Sequence, residues 1–183
     1  MFTRTMVDRG IHYEAAFEAF LRERTTPYVA VDEAKRALFG KAKLKGFDFL
    51  VYSRNGPNLL VDVKGRRFTG GKSMQTWATQ RDVDDLLQWE QVFGDDFQAV
   101  LAFAYWIEPR DETPGLPGLA EDVPPGEADE PGVFRHLSRW YRLMAISLSD
   151  YRSHMRQRSA KWETVALPMS DFRSLARPME HLL

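Results

Sequence analysis

Residues 46–67, GFDFLVYSRNGPNLLVDVKGRR, decide the fold that we predict for this chain. The stretch reads as two apolar strands joined at an Asn-Gly-Pro turn, because Asn-Gly is a strong hairpin signal. Asp48 lies in the first strand, Asp62 lies in the second, and Lys64 follows two residues later. Charged groups are expensive to bury unless they are paired or bind a metal, so the two acids and the lysine need an explanation.

The pairing of the two strands gives the first part of that explanation. Side chains alternate between the faces of a strand, so Asp62 and Lys64 share one face while Val61 and Val63 point to the other. A turn centred on Asn-Gly sets position 48 opposite position 62 or 63, which brings Asp48 beside Asp62. Two carboxylates this close repel each other, and a divalent cation removes the repulsion.

The residue types indicate which chemistry such a cation would serve. Mg²⁺ prefers hard oxygen ligands, keeps several of its waters and accepts phosphate oxygens. It lowers the pKa of a bound water and stabilises charge on a phosphate, while Lys64 could orient the water or neutralise developing charge. This is the chemistry of phosphodiester hydrolysis. The alternative is an ordinary salt bridge among Asp48, Asp62 and Lys64 on a solvated face.

A helix before the hairpin offers a third acid. Residues 10–24 have the apolar spacing of an amphipathic helix, with Tyr13, Phe17, Phe20 and Leu21 on one face. At 100° per residue, Glu14 lies roughly 60° from Phe17, at the edge of the face that packs on the sheet. Glu14 is therefore either a rim residue or an acid directed at a site between helix and hairpin.

The rest of the chain alternates between strands and helices. We predict a helix over 81–94, a buried strand over 97–107, a strand over 139–148 and a helix over 149–159. A further strand and a last helix, interrupted at Pro178, complete the chain. The order predicts an α/β protein in which a central mixed sheet is flanked by helices, formed by one domain over 1–183.

Residues 108–132 differ in composition from everything else. They hold eight acids, one arginine and six of the ten prolines, which predicts a mobile acidic insertion. Without them the chain has 24 bases (25 less 1) and 18 acids (26 less 8), a balance of +6. A basic body is compatible with nucleic acid as a partner, although an ordinary surface can carry the same charge.

Composition also excludes several classes of function. The chain has no cysteine, so disulfides and thiolate metal sites are excluded, and this fits a reducing cytoplasm. The four histidines show no zinc-ligand spacing. No apolar run is long enough to span a membrane, and we expect no secretory leader. No motif for a small-molecule cofactor is present.

The motifs taken together resemble those of the PD-(D/E)xK nuclease superfamily. HYEAAFEAF, KGFDFLV and LLVDVKGRR match, in order, its Glu on a first helix, its Asp on a first hairpin strand and its (Asp/Glu)-x-Lys on the second. The match rests on residues 12–67 and is similar to archaeal Holliday-junction resolvases and restriction endonucleases. More narrowly, HYEAAFEAFL resembles uncharacterised bacterial proteins named for an HYExAFE motif.

This resemblance implies an αβββαβ core and a role for each matching residue. It makes Asp48 and Asp62 the ligands of Mg²⁺, for which Mn²⁺ can substitute, with the Val63 carbonyl a further ligand. It makes Lys64 the catalytic lysine and Glu14 an auxiliary ligand or a residue that positions water. Asp62 stands where many members have Glu, and both are accepted.

The partner that the resemblance implies is DNA. Basic or amide side chains near the site are candidate DNA contacts, and they are Arg66, Arg67, Lys72 and Gln80, with Gln88 a second glutamine candidate. The resulting hypothesis is a metal-dependent DNA endonuclease acting in repair, recombination or defence. The alternatives are an inactive nucleic-acid-binding module on the same fold, and an interaction or scaffold protein that uses the acidic loop. Relatives that cut both strands are often dimers, which makes a homodimer an expectation.

Overall fold

A mixed β-sheet lies at the centre of the computed structural model, which describes residues 6–31, 38–39, 42–68, 74–107 and 130–183. Within those residues the helices are α1 (Met6–Glu23), α2 (Gln80–Phe93), α3 (Leu148–His154) and α4 (Met169–Leu175), and a 3₁₀ helix covers Met179–Leu182. The strands are β1 (Tyr28–Ala30), β2 (Leu38–Phe39), β3 (Ala42–Lys43), β4 (Phe49–Val51), β5 (Asn58–Phe68), β6 (Trp77–Thr79), β7 (Phe97–Ile107), β8 (Val133–His136), β9 (Arg139–Ser147), β10 (Arg156–Ser159), β11 (Thr164–Ala166) and β12 (Arg177–Pro178).

The large sheet has the strand order β1-β4-β5-β7-β9-β12, with β8 paired to β9. β5 and β7 run parallel over their whole length, from Asn58 opposite Phe97 to Phe68 opposite Ile107. The other pairings in this sheet are antiparallel. β7 is nearly all apolar because both of its faces are covered, as the sequence predicted for a central strand. The predicted α/β class with a central mixed sheet flanked by helices is confirmed.

The predicted hairpin is present with the predicted register. β4 and β5 pair antiparallel, with Phe49 opposite Val61 and Val51 opposite Leu59. The connecting residues 54–57 are exposed, as expected for the Asn-Gly-Pro turn. β5 runs from Asn58 to Phe68 along its parallel partner β7.

The two faces of the sheet carry separate apolar cores. On one face α1 buries Phe17 and Phe20 completely against a cluster that includes Val61 and Val63. The other face is covered by α2, α3 and α4, with Leu60 in its cluster. The alternation along β5 therefore follows the prediction that Val61 and Val63 enter the core on the opposite face from Asp62.

A small second sheet, β10-β11-β6, extends from the α2 face. Its formation corrects one prediction, because the helix expected over 149–159 ends at His154. Residues 156–159 pair instead with β11, where Arg156 lies opposite Ala166. Backbone hydrogen bonds to a neighbouring strand outweigh a weak local helix propensity here. The predicted interruption of the last helix at Pro178 is confirmed, since α4 ends at Leu175.

Two further predictions concern segments of the chain rather than the sheet. Most of the predicted acidic insertion at 108–132 lies outside the described residues, which resume at Glu130. Across the part of the chain that the structure describes, no helix combines the length and the apolar character that crossing a membrane requires.

Candidate functional site

The site forms where β5 extends beyond its partner β4. β4 begins at Phe49, opposite Val61, so the next residues of β5 have no strand on that edge. Asp48 fills this place: its backbone N–H donates to the Val61 carbonyl at 2.9 Å, and its Oδ2 accepts the Val63 N–H at 2.6 Å. Continuing the register by one residue sets Asp48 opposite Asp62, as predicted. The Val63 carbonyl points to the same edge as its N–H.

Asp62 and Lys64 lie on one face of β5, and both are buried, with 5% and 7% of their surface exposed. The Lys64 Nζ is 2.7 Å from Asp62 Oδ2. A salt bridge at this depth differs from the solvated surface pair that the sequence left open as an alternative. Removing Lys64 would take this ion pair from the buried carboxylate of Asp62, which is costly at this depth.

A third buried acid, Asp82 on α2, completes the ion pairs of Lys64. Its Oδ2 lies 2.9 Å from Lys64 Nζ, and its Oδ1 lies 2.7 Å from the Nζ of Lys45. A capping box fixes Asp82, because the Thr79 Oγ1 accepts the Asp82 N–H and Asp82 Oδ2 accepts the Thr79 N–H.

Two features of the sequence indicate Asp82, which was not among the predicted site residues. Thr79 precedes it by three residues, which is the spacing of a capping box. Asp82 and Asp85 also fall on the buried stripe of α2 with Leu86 and Trp89, at i, i+3, i+4 and i+7. Acids on the core side of a helix indicate a buried cation, and here that cation is Lys64.

The environments of the acids shift their pKa values in opposite directions. Burial raises the pKa of Asp48 well above its usual value, and the charges of Asp62 and then Glu14 add to the rise, against the Val63 N–H hydrogen bond. Burial acts in the same sense on Asp82, but the charges and hydrogen bonds of Lys64 and Lys45 outweigh it and lower its pKa. The charge of Lys64 acts in the lowering direction on Asp48 as well, but it is the smallest of these causes, and Lys64 forms its ion pairs with Asp62 and Asp82.

Helix α1 brings Glu14 towards Asp48 from the other face of the sheet. α1 crosses β5 at Gly65, where an added Cβ would lie 2.2 Å from the Tyr13 ring. Glycine is therefore required for this close approach. Glu14, the next residue on the helix, is exposed, and its charge acts on Asp48.

The donor set fits a hard cation, although no group of three His, Asp or Glu side chains is arranged to hold a metal within the described ranges. Asp48 and Asp62 offer carboxylate oxygens on facing positions of the hairpin, and the Val63 carbonyl lies on the same edge. A divalent ion would offset the burial and the charge of Asp62 that raise the pKa of Asp48. These oxygens are of the type that Mg²⁺ and Mn²⁺ take.

The predicted DNA contacts are placed in different environments. Arg66 is buried; its guanidinium stacks 3.8 Å from the Trp77 ring centroid and donates to the carbonyls of Gly65 and Trp77. Burial lowers the pKa of Arg66 to about 10. Arg67 is exposed on the opposite face of β5, and the Gln80 amide donates to Asp84. Lys72 lies outside the described residues, and Gln88 is exposed on α2.

Comparison with known proteins gives a likeness of fold. The structure is similar to that of Hjc, a Holliday junction resolvase from the archaeal hyperthermophile Archaeoglobus fulgidus, with a TM-score of 0.50 and 12% sequence identity. The match covers 94% of this chain and 99% of that chain. No protein-family model matches the sequence. No curated protein matches it either. At this identity the likeness shows a resolvase-like fold and leaves the residues of the site to be tested.

Proposed function

We propose that this protein is a metal-dependent endonuclease that hydrolyses phosphodiester bonds in DNA. The observation that carries the proposal is the placement of Asp48 opposite Asp62 at the buried end of the hairpin, with Lys64 on the face of Asp62. The likeness of the fold to a Holliday junction resolvase supports it at the level of architecture.

Four residues would hold the metal ion in this proposal. Asp48 and Asp62 would hold Mg²⁺, or Mn²⁺ in its place, with the Val63 carbonyl and Glu14 as further ligands. When bound, the ion would supply a water of lowered pKa and a positive charge beside the phosphate. The described part of the site requires no small-molecule cofactor for this chemistry.

Lys64 is the residue that would act on the phosphate or the water directly. Its ammonium is fixed at 2.7 Å from Asp62 and 2.9 Å from Asp82, so its place depends on two different elements, β5 and α2. From that position it would neutralise charge that develops on the phosphate or orient the attacking water. Asp82 would serve as a positioning residue for Lys64.

The experiment that tests the proposal is a cleavage assay with supercoiled, nicked and branched DNA in the presence of Mg²⁺ or Mn²⁺. We expect Asp62→Asn and Lys64→Gln to lose at least about 100-fold in rate, because each removes a charged group that acts on the reacting phosphate. Asp84→Asn is the matched control, since Asp84 is an exposed acid on the same helix as Asp82. Absence of cleavage by the wild type, or equal rates in all variants, would disprove the proposal.

A second candidate, a nucleic-acid-binding module without catalysis, is favoured by one specific observation. The Lys64 Nζ already pairs with Asp62 Oδ2, one of the carboxylate oxygens that a metal would take. This candidate predicts salt-dependent DNA binding that a chelator leaves unchanged, with no cleavage on any substrate. A homodimer stays a prediction for either candidate, and sedimentation velocity would measure it.

A further inference from the structure

A basic hairpin projects from the α2 side of the molecule and takes no part in the proposed site. We give the name basic hairpin to residues 152–162, which run from α3 through β10 into the turn before β11. The segment has four bases and no acid, in a chain whose net charge is −1. Those bases are Arg152, Arg156, Arg158 and Lys161, and all of them are exposed.

Several other described cations have acidic partners, and these four bases do not. Lys45 and Lys64 pair with Asp82, Arg22 pairs with Glu18, and Arg24 pairs with Glu180. Within the ranges that the structure describes, no base of the basic hairpin makes a salt bridge. Concentrated positive charge without internal compensation attracts a polyanion.

An aromatic ring stands at the tip of the basic hairpin. Trp162 is 69% exposed, and the Lys161 Nζ lies 5.2 Å from the centroid of its ring. Large aromatic side chains dominate cores and interfaces, and a tryptophan this exposed contributes little to the core of its own chain. A cation beside an open ring is the arrangement with which proteins hold unpaired bases and their phosphates.

The tip is held in place by hydrogen bonds. The Ser159 Oγ accepts the Trp162 N–H at 3.3 Å, and the Glu163 N–H donates to the Ala160 carbonyl at 3.3 Å. The Gln80 N–H, at the start of α2, donates to the Glu163 carbonyl at 2.7 Å. The same first turn of α2 carries Asp82, so the tip is anchored to the element that holds Lys64.

A second aromatic–cation contact links the basic hairpin to β5. The Arg158 guanidinium lies 5.4 Å from the Trp77 ring centroid, and Arg66 lies 3.8 Å from the same ring. Arg66 is two residues from Lys64 on the same face of β5. These contacts connect β10 of the basic hairpin, through Trp77 and Arg66, to the strand that carries Lys64.

From these contacts we infer that the basic hairpin binds a single-stranded segment of DNA, with a base stacked on Trp162 and phosphates on Arg156, Arg158 and Lys161. Stacking requires an open base face, which an unpaired strand offers and the interior of a duplex does not. The inference rests on the proposed function and narrows its substrate to DNA with an unpaired strand next to the cleavage point.

Binding measured in chelator, without cleavage, tests the inference. Dye-labelled single strands and duplexes of the same sequence are titrated with the full-length protein, and anisotropy is recorded. We expect Trp162→Ala to weaken single-strand binding by roughly 5- to 100-fold, as losing one stacked base does, and to change duplex binding less than twofold. Trp162→Phe should recover most of the affinity. Tyr52→Ala is the matched control, because Tyr52 is an aromatic residue, 43% exposed, at the far end of the β4–β5 hairpin.

The charges are tested separately through the salt dependence. Arg156→Gln with Arg158→Gln should lower the slope of log affinity against log salt by about 1.4, since each single-strand phosphate contact contributes about 0.7. An unchanged slope, a Trp162→Ala effect below twofold, or equal losses on duplex and single strand would overturn the inference. The inference would also be overturned if polyglutamate displaced the labelled single strand as effectively as DNA of equal charge does. These experiments measure binding and not cleavage. A protein that does not cleave DNA could therefore still bind the single strand, and a nuclease could fail to bind it through this hairpin.

Discussion

Asp48 and Asp82 are equally buried, at 8% exposure each, yet their pKa values move in opposite directions. Both acids lie beside the Asp62–Lys64 pair, and both accept a backbone N–H. The difference is in their cations. Asp82 has two lysines within 2.9 Å. Asp48 lies opposite Asp62, and the charges of Asp62 and Glu14 raise its pKa. Burial alone therefore does not decide the charge state of a carboxyl, and its neighbours do.

The difference indicates a structural role for Asp82 and a candidate functional role for Asp48. Asp82 is part of a balanced cluster that stabilises the fold and positions Lys64. The hydrogen bond from the Val63 N–H fixes the position of Asp48, and burial with the charges of Asp62 and Glu14 raises its pKa despite that bond and the charge of Lys64. Perturbed carboxyls of this kind concentrate at functional sites, where a ligand supplies the missing charge. The following predictions test this contrast on the metal-free protein.

The largest effect is expected from Asp82→Asn, which removes one partner of a buried ion pair. Lys64 keeps only Asp62, and Lys45 loses its bridge to Asp82. We expect the free energy of unfolding to fall by about 3 kcal/mol, the lower end of the cost of removing one partner of a buried ion pair, because Lys64 still pairs with Asp62. Urea unfolding at pH 7 in chelator measures it. The control is Asp84→Asn on the exposed side of α2, and a loss below about 1 kcal/mol for Asp82→Asn would contradict a structural role.

Asp48→Asn is expected to raise the free energy of unfolding, in contrast to Asp82→Asn. Asparagine keeps an oxygen that accepts the Val63 N–H and removes a desolvated charge that faces Asp62. We expect the unfolding free energy to rise by about 1–2 kcal/mol in chelator, which is within the usual range of single-residue effects. The same urea titration measures it. If this variant is destabilised as strongly as Asp82→Asn, the two acids do not differ in the way described here.

The position of Asp48 could be predicted from the sequence, and the role of Asp82 could not. The strand period and the Asn-Gly turn placed Asp48 beside Asp62 and set Val61 and Val63 in the core, because strand geometry is local. Asp82 was missed because its contact with Lys64 spans two elements whose relative position depends on packing. The helix predicted over 149–159 failed at 156–159 for a similar reason, since a strand distant in sequence pairs there.

A third prediction concerns the pH dependence of stability. The folded-state pKa of Asp48 is raised, so between the ordinary Asp value and that raised value the folded state binds more protons than the unfolded state. Stability from this group is full below the ordinary value and is lost as pH rises through the raised value. Asp82 has a lowered pKa, so its contribution is present above the ordinary value and is lost as pH falls below it.

The measurement is a series of urea titrations in chelator from acid to neutral pH. Above the ordinary Asp pKa, wild type should lose stability relative to Asp48→Asn by up to about 1.4 kcal/mol per pH unit, the limit for one proton. Asp82→Asn should abolish the loss that wild type shows on the acid side. Parallel curves for wild type and Asp48→Asn would show that Asp48 titrates as an ordinary exposed acid.

The smallest effect is expected from Lys45→Gln. This variant measures how much of the stabilisation of Asp82 comes from Lys45 and how much from Lys64. The Lys45 side chain is 37% exposed and the Lys64 side chain 9%, although both ammonium groups lie within 2.9 Å of Asp82. Solvent screens the outer pair, so we expect a loss of only about 0.5 kcal/mol, typical of a surface salt bridge. That loss should shrink at high salt, whereas the loss in Asp82→Asn should not, because a buried pair is screened much less. Urea unfolding at low and high salt measures both. Equal losses for Lys45→Gln and Asp82→Asn would mean that Lys45, not Lys64, is the cation that keeps Asp82 ionised.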